Sequence, residues 1–519
     1  MNAAARRDYW LLSGLAVAIS IGALIFYYHQ GAILLYGDAV AHINIARRVF
    51  DSRSPGLFQL GTVWLPLPHL LDIPFVVNGR MWQTGVGASI PSMLAYVAGT
   101  LGVYRLVRGL ASRSSAWIAA AIYALNPNLI YMQSTAMGES LYLALFVWSA
   151  VYFAEFVRQV QDGPDHAAKS LKKCGLVVSA AMLVRYDGWF LAAVIAVCAA
   201  LILWRLRPPV PPLRRGLINF VLFTGVTAAL FLAYNQIAFG NALEFANGPY
   251  SARAIQQRSK TATMPSYPGE NSPRDATLQF LKVSRLNIAE GRPELWLFTA
   301  ALVALLAAIY FARRHLSWAI LWTPVPFYVL CIAWGSVPIY HPEWWPFSYY
   351  NVRYGLQLLP AIAVFAALAC QFAANFLRAR YVIAAAGLVI AASYFSVWQE
   401  PICLREARTN GAERMALEQA LAEKLKSLPQ PATVLMYCSA HAAALQMVGV
   451  PLKRRLCEND HPGWEDALAR PAQSADYLVA FAGDPVAGAV HDHPQGLEAV
   501  AIIGTPGQPK ALIYRATHR

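Results

Sequence analysis

The chain has 519 residues, of which 57% are hydrophobic and only 13% charged. A soluble domain carries about 25% charged residues, so composition excludes an ordinary soluble protein and places most of this chain in lipid. The net charge of +14 sits in short basic turns between apolar runs, which fits the positive-inside pattern of membrane proteins and not a nucleic-acid partner.

A spanning helix needs roughly 20 mainly apolar residues. Eleven such runs are predicted, at 9–28, 85–104, 115–131, 139–157, 174–184, 188–204, 216–238, 295–312, 317–335, 355–377 and 381–398. Helix is the form expected for each, because an open strand leaves its backbone groups unsatisfied in lipid. The first run exceeds a signal-peptide core and no small-residue cleavage site follows it, so it reads as a retained span. With Arg6 and Arg7 in the cytoplasm, alternate turns are basic: Arg105, Arg108 and Arg113; Arg158, Lys169, Lys172 and Lys173; Arg205, Arg207, Arg214 and Arg215; Arg313 and Arg314; Arg378 and Arg380. Asp162 and Asp165 are the only acids among them. This alternation leaves the C-terminus outside.

Three external segments are long. Residues 29–84 are amphipathic and rich in Trp and Pro; within them Ala39, Ile43, Ala46 and Phe50 recur at helical spacing, predicting an interfacial helix on the membrane surface. Residues 239–294 are polar and expected to be mobile in part. Residues 337–354 are dense in aromatic side chains, as at a membrane interface. The sequence thus divides into a polytopic α-helical membrane module, 1–398, and a small external α/β domain, 399–519. In the latter a helix is predicted at 405–427, followed by the β-like runs "TVLMYC", "DYLVAF", "EAVAII" and "KALIYRA", with a helical stretch "AHAAALQMVG" between the first two. The seven cysteines contain no CxxC, which leaves metal-finger and redox readings without support. Cys438 and Cys457 lie close together outside the lipid region, and a disulfide between them is admissible in an oxidising compartment.

Several charged residues fall at the external edges of spans. Asp38 stands at the start of the predicted surface helix. It reads either as an N-cap, where aspartate is among the preferred residues, or as a reacting group. Glu139 opens the fourth span; a glutamate in a first helical turn is favoured by the macrodipole, and it also could share a cavity with Asp38. In "RYDGW", Arg185 and Asp187 read as a structural ion pair at a minimal turn. In "YHPEWWPFSYYNVRYGLQLLP", His341 and Glu343 flank a proline, and Arg353 enters the next span. Arg353 either snorkels to the interface or clamps a phosphate, whose oxygens a guanidinium matches bidentately.

Taken in order and sidedness, these stretches resemble the GT-C superfamily of integral-membrane glycosyltransferases. Its relatives include bacterial aminoarabinose transferases, protein O-mannosyltransferases and lipid-linked mannosyltransferases. "GDAVAHINIARRV" is similar to the acid-bearing first external loop with juxtamembrane helices, and "TAMGESLYLALF" to the second acid at the fourth span. "RYDGW", "HPE" and "RYGLQLLPAIAVF" resemble later family positions. Asp38 is followed by Ala39, where several relatives carry a second acid.

The resemblance implies a glycosyltransferase using a polyprenyl-phosphate-linked sugar donor at the external face of the plasma (inner) membrane, with no nucleic-acid partner. Transfer to an external acceptor would be an inverting single displacement. Asp38 is then the general base, with Glu139 assisting it, positioning the acceptor or holding a metal ion. Arg353 and Arg185 would bind the donor phosphate. His341, Glu343 and Tyr354 would bind phosphate or sugar, and His42 and Asp187 would give support. A divalent metal ion is admitted but not required, since members of the superfamily differ in metal need. The rival reading is a transporter or flippase using the same charges as a pathway, which would favour internal repeats and charges or helix breaks in mid-span; here the notable charges cluster at the external ends and no repeat is seen.

Overall fold

The computed structural model describes residues 3–517 apart from 62, 207–209, 262, 312, 430, 440 and 461–462. Arg207 of the predicted basic turns lies outside the described residues, as do single positions of the quoted external stretches (Thr62, Ala262, Ala440). The chain forms two compact units. The first runs through Tyr27, takes in a short stretch ending at Pro68, and continues over Pro91–Glu406; the second comprises Tyr28–Gly61, His69–Ile90 and the chain from Ala407 onward.

Eight helices among the described residues are long and apolar enough to cross a membrane: Arg6–His29, Val86–Arg108, Glu139–Gln159, Asp187–Arg205, Pro211–Phe239, Arg292–Tyr310, His315–Trp334 and Val352–Ala373. The chain is a multi-pass membrane protein. Helices also stand at the three other predicted positions. Arg113–Ala124 and Ala379–Phe395 are shorter, with 12 and 17 residues; Pro164–Met182 carries lysines through its first half. Val352–Ala373 and Glu139–Gln159 are the most enclosed, with 72% and 67% of their most apolar window buried, against 17% for Arg6–His29. The first pair therefore forms the protein core of this unit, while the N-terminal helix presents most of its surface to lipid. Its one acid, Asp8, is buried near the start of the helix and matched by Arg113 (2.5 Å) and the Tyr104 hydroxyl (2.7 Å), as a buried charge requires.

Two glycines set close helix approaches. A β-carbon at Gly188 would lie 2.6 Å from the backbone of Ala181, and one at Gly355 would lie 2.6 Å from the Val283 carbonyl oxygen. Both glycines belong to the "RYDGW" and "RYGLQ" stretches. Their missing side chains bring Arg185 and Arg353 in on tightly packed backbone.

The segment 239–294, polar by composition, contains the helices Ala252–Ser259 and Pro273–Leu286. The second has a clear start: Ser272 caps it by accepting from Asp275 N (3.3 Å), and Pro273 occupies its first turn, the position where its missing N–H costs nothing. Ala276, Phe280 and Val283 then form a buried face.

In the second unit, strands β1 (Val434–Met436), β2 (Arg455–Leu456), β3 (Tyr477–Phe481), β4 (Leu497–Ile503) and β5 (Ala511–Ala516) form one sheet in the order β2-β1-β3-β5-β4. β1 runs parallel to β2 and β3, with Val434 opposite Arg455 and Tyr477. β5 is antiparallel to β3 and β4. The four predicted β-like runs are β1, β3, β4 and β5; β2, with two residues, is too short to show a pattern. Side chains alternate across the sheet. On one face Met436, Val479 and Ile513 pack with Leu417, Leu421 and Leu425 of the helix Ile402–Lys426. On the other, Leu435 and Leu478 pack with Trp464, Val486 and Val490.

The predicted surface helix is Gly37–Arg48, but its polar side is covered: His42 and Asn44 are buried along with Ala39, Ile43 and Ala46. Asn44 Nδ2 donates to Gln446 Oε1 (2.7 Å), Gln446 Nε2 to the Trp82 carbonyl (2.8 Å), and Trp82 Nε1 to Asn44 Oδ1 (3.3 Å). This closed ring ties the helix to the helices Gly79–Thr84 and Ala442–Val448 of the same unit. An isolated surface helix would leave Asn44 in water; here its hydrogen bonds are satisfied internally, as burial demands.

Candidate active site

In the first unit, five of the residues singled out from the sequence come together. Asn126 caps a short helix, Pro127–Met132, by accepting from Leu129 N (2.9 Å). The chain turns again at Gly138, placing Glu139 in the first turn of its long helix. The carboxylate is 1% exposed. Its Oε1 accepts from Arg185 Nη1 (3.1 Å) and from Arg353 Nε (3.2 Å), while Oε2 is buried without a partner. The helix N-terminus adds to the stabilisation of this anion.

Arg185 leaves the turn between Pro164–Met182 and Asp187–Arg205. Its Nη2 donates to the Tyr328 hydroxyl (2.8 Å), which in turn donates to Asp187 Oδ2 (2.8 Å); Nε lies 3.5 Å from Asp187 Oδ1. The predicted Arg185–Asp187 ion pair is present, with Tyr328 bridging it. The ring of Tyr354 lies under both guanidiniums, 4.8 Å from Arg185 and 5.2 Å from Arg353. A cation over an aromatic face is attracted by the ring quadrupole. Arg353 Nη1 also lies 3.7 Å from Glu406 Oε1, which accepts from Val352 N (3.2 Å). Arg353, 9% exposed, is therefore enclosed and paired; the snorkelling alternative does not describe it.

His341 and Glu343 join a second cluster in this unit, around Lys282. Lys282 Nζ bonds Glu294 (2.8 Å) and Glu343 (2.7 Å), and Glu294 lies 3.9 Å from Arg285. His341 Nδ1 accepts from Glu343 N (3.3 Å), and burial pushes the imidazole down to about 4, so it is neutral at physiological pH. The two clusters meet through a ring contact: Phe280, two residues before Lys282, stacks on Tyr328 with centroids 4.7 Å apart.

Asp38 and His42 belong to the second unit. Asp38 is half-buried, in the first turn of Gly37–Arg48, and the cap is Tyr36, so the N-cap reading of Asp38 misses by two residues. His42 Nδ1 contacts His69 Nε2 at 2.7 Å, so one ring donates and the other accepts. His69 is held well below the usual histidine range by burial and by the nearby His42 and Arg48.

Sequence reasoning missed Tyr328, Lys282, Glu294 and Glu406. Tyr328 lies inside an apolar span, where one phenol among many aromatic residues carries no signal. Lys282 sits in a segment read as polar loop, although the Ser-Pro-x-Asp start of its helix was legible. Glu406 lies on the helix Ile402–Lys426, read as part of the soluble domain.

The carboxylates of Glu139 and Asp187 are engaged by guanidiniums and a phenol. A divalent cation placed there would face two arginines. Among the described residues, one group of His, Cys, Asp or Glu side chains brings its ligand atoms close enough for a metal ion: Cys438, Cys457 and Glu458, in the second unit.

Residues 81–231 match the sequence model of the dolichyl-phosphate-mannose-protein mannosyltransferase family. No curated protein matches the chain in sequence. Among solved structures, ArnT from Cupriavidus metallidurans bound to undecaprenyl phosphate is similar, with a TM-score of 0.60, 12% identity, and 96% of this chain and 98% of that chain covered. The same protein in the apo state gives 0.59 and 11%, covering 98% of both chains. The apo oligosaccharyltransferase of Archaeoglobus fulgidus gives 0.50 and 12%, covering 91% of this chain and 69% of that one. With near-complete coverage in both directions, this chain has the fold of the GT-C integral-membrane glycosyltransferases, the superfamily its sequence motifs resemble.

Proposed function

We propose that this protein is a glycosyltransferase that moves a sugar from a polyprenyl-phosphate-linked donor to an acceptor at the external face of the plasma membrane, with its N-terminus in the cytoplasm. The observation that carries the reading is the convergence of Arg185 and Arg353 on one buried carboxylate oxygen of Glu139 within a fold shared with a protein crystallised with undecaprenyl phosphate.

In this reading the acceptor hydroxyl attacks the anomeric carbon as its proton passes to Asp38. The bond from that carbon to the phosphate oxygen breaks on the opposite side, inverting the centre, and the polyprenyl phosphate leaves with an added negative charge. Arg353 and Arg185 meet that charge. Preorganised cations in a water-poor site favour a transition state because they need no reorganisation as charge develops. Glu139 holds both guanidiniums in place, and Asp187 does the same for Arg185 through Tyr328. Tyr354 supports the pair from below. His341, neutral and buried, and Glu343, at the exposed edge, are proposed to contact the sugar, and His42 to orient the helix that carries Asp38. The 399–519 segment is proposed as an external domain that follows the membrane module.

The test is mass spectrometry of lipid extracts from host cells carrying the wild-type protein or Asp38→Asn at matched expression. Accumulation of one polyprenyl-phosphate sugar in the variant supports the reading and names the donor. Identical profiles, together with a solute or lipid that crosses the membrane only with wild type, would replace it by a transporter.

A further inference from the structure

The second unit contains a cluster that the proposed reaction does not use. β1 and β2 are parallel neighbours, with Val434 opposite Arg455 and Leu435 opposite Leu456. Both strands therefore end on the same side of the sheet. Cys438 lies two residues beyond β1, and Cys457 follows β2 directly. Their spacing in the chain matches no metal-finger pattern, yet strand pairing puts Cys438, Cys457 and Glu458 together, with one ligand atom from each within 4.8 Å of the others. Both thiols are free and buried, at 4% and 0% exposure.

The surrounding bonds hold these groups in place. Glu458 Oε2 accepts from Cys438 N (2.9 Å), crossing from the β2 end to the β1 end. Asp460 Oδ2 accepts from Cys457 N (3.0 Å) and lies 3.3 Å from the Cys457 sulfur. The donor set is thus two sulfurs and two carboxylates, all on the turn 457–460 except Cys438. Charge also balances. Arg455, buried, and Arg48 of the same unit both interact electrostatically with Glu458, Asp460 and Cys457, so two guanidiniums offset two carboxylates. A divalent ion with two thiolates adds no net charge to that pocket, which matters where dielectric screening is weak.

We infer that Cys438, Cys457 and Glu458, completed by Asp460, form a structural zinc site that pins the 457–460 turn to the carboxyl end of β1. Mixed thiolate and carboxylate ligands at four positions suit Zn²⁺, with bonds of about 2.3 Å to sulfur and about 2.0–2.2 Å to oxygen. Binding replaces two S–H bonds by two metal–sulfur bonds and releases two protons to solvent, with no change of oxidation state. The proposal does not rest on the proposed reaction.

The test is made on the full-length protein purified in detergent without chelator. Elemental analysis is expected to find about one zinc per chain in wild type and about a tenth of that or less in the Cys438→Ser/Cys457→Ser double variant. Since that variant could fail to fold, a second measurement uses wild type alone: after zinc is exchanged for Co²⁺, thiolate ligation gives a sulfur-to-metal charge-transfer band in the near ultraviolet, bleached by returning Zn²⁺. An intact mass two hydrogens lower than the reduced chain, converted by reductant, shows a Cys438–Cys457 disulfide and overturns the proposal. Two free thiols with no bound metal and no cobalt band overturn it as well, as does metal retained by a folded double variant.

Discussion

Arg353 Nε donates to Glu139 Oε1 across 3.2 Å, joining two residues 214 positions apart in the chain. Arg185 donates to the same oxygen at 3.1 Å. One buried carboxylate therefore fixes two guanidiniums.

Removing Glu139 leaves two enclosed cations facing each other. Loss of one partner from a buried ion pair costs about 3–5 kcal/mol, so Glu139→Ala is expected to unfold well below wild type. The combined Glu139→Ala/Arg353→Met variant should be less destabilised than the two single losses added together. A double-mutant cycle by denaturant or thermal unfolding in detergent checks this, with a coupling of about 1–3 kcal/mol expected for residues in one network; simple additivity would count against the pairing.

Arg353→Lys keeps the charge but loses the planar fork that lets Nε bond Glu139 while Nη1 faces Glu406. Under the proposed function, sugar transfer should fall by about 10²–10³, the scale of one lost preorganised donor. The fall should appear mainly in kcat, because the charge that Arg353 meets grows in the transition state. A transfer assay over a range of donor concentrations separates this from a change in KM alone.

Under the proposed function, Asp38→Asn should reduce transfer by about 10²–10⁴, the usual value of a general base. A nearly isosteric variant with wild-type rate would assign the base to another group.

Glu418 lies on the helix Ile402–Lys426, fully buried, and burial raises its carboxyl to about 7 although Arg414 Nη1 bonds it at 2.9 Å. The folded state therefore holds this proton more tightly than the unfolded chain, whose carboxyl titrates near 4.5. The favourable contribution is fully present below about 4.5 and is lost as pH rises through about 7. Glu418→Gln cannot ionise, so the stability of wild type relative to the variant should fall across that window by on the order of 3 kcal/mol. His441, 3.9 Å away and pushed down to about 4, titrates in both proteins and cancels in the difference. Paired thermal melts at pH 5 and pH 8 measure it; a constant gap between the two proteins would show that Glu418 is ionised throughout.

Asn44→Ala breaks a closed ring of three hydrogen bonds and leaves polar atoms of Gln446 and Trp82 without partners. A buried group so orphaned costs about 1–3 kcal/mol. The loss should be seen as faster proteolysis or exchange in both the Gly37–Arg48 and Ala442–Val448 helices, because the ring ties them together.

Much of this protein was legible before folding. Each of the eleven apolar runs is helical, although among the described residues only eight stretches satisfy length and apolarity as spans, because Arg113–Ala124 and Ala379–Phe395 are short and Pro164–Met182 carries lysines. Among the described residues, four of five strands show as short β-like runs. Glu139, Arg185, Asp187, Arg353 and Tyr354 were each visible as a polar residue at an apolar boundary, where a charge is expensive unless it is paired.

Local sequence by itself determined these elements, since hydropathy and helix breakers act within one or two turns of the chain. It also singled out the charged edge residues. Tertiary structure alone decided which of them meet. Tyr328 is one phenol in an apolar helix until packing carries it to Arg185 and Asp187; Asn44 marks the wet side of an amphipathic helix until Trp82 and Gln446 cover it. Cys438 and Cys457 have no motif spacing until β1 and β2 pair in parallel and end side by side. Each of these outcomes is a contact between residues distant in the chain, and its energy depends on burial and geometry that no local window contains.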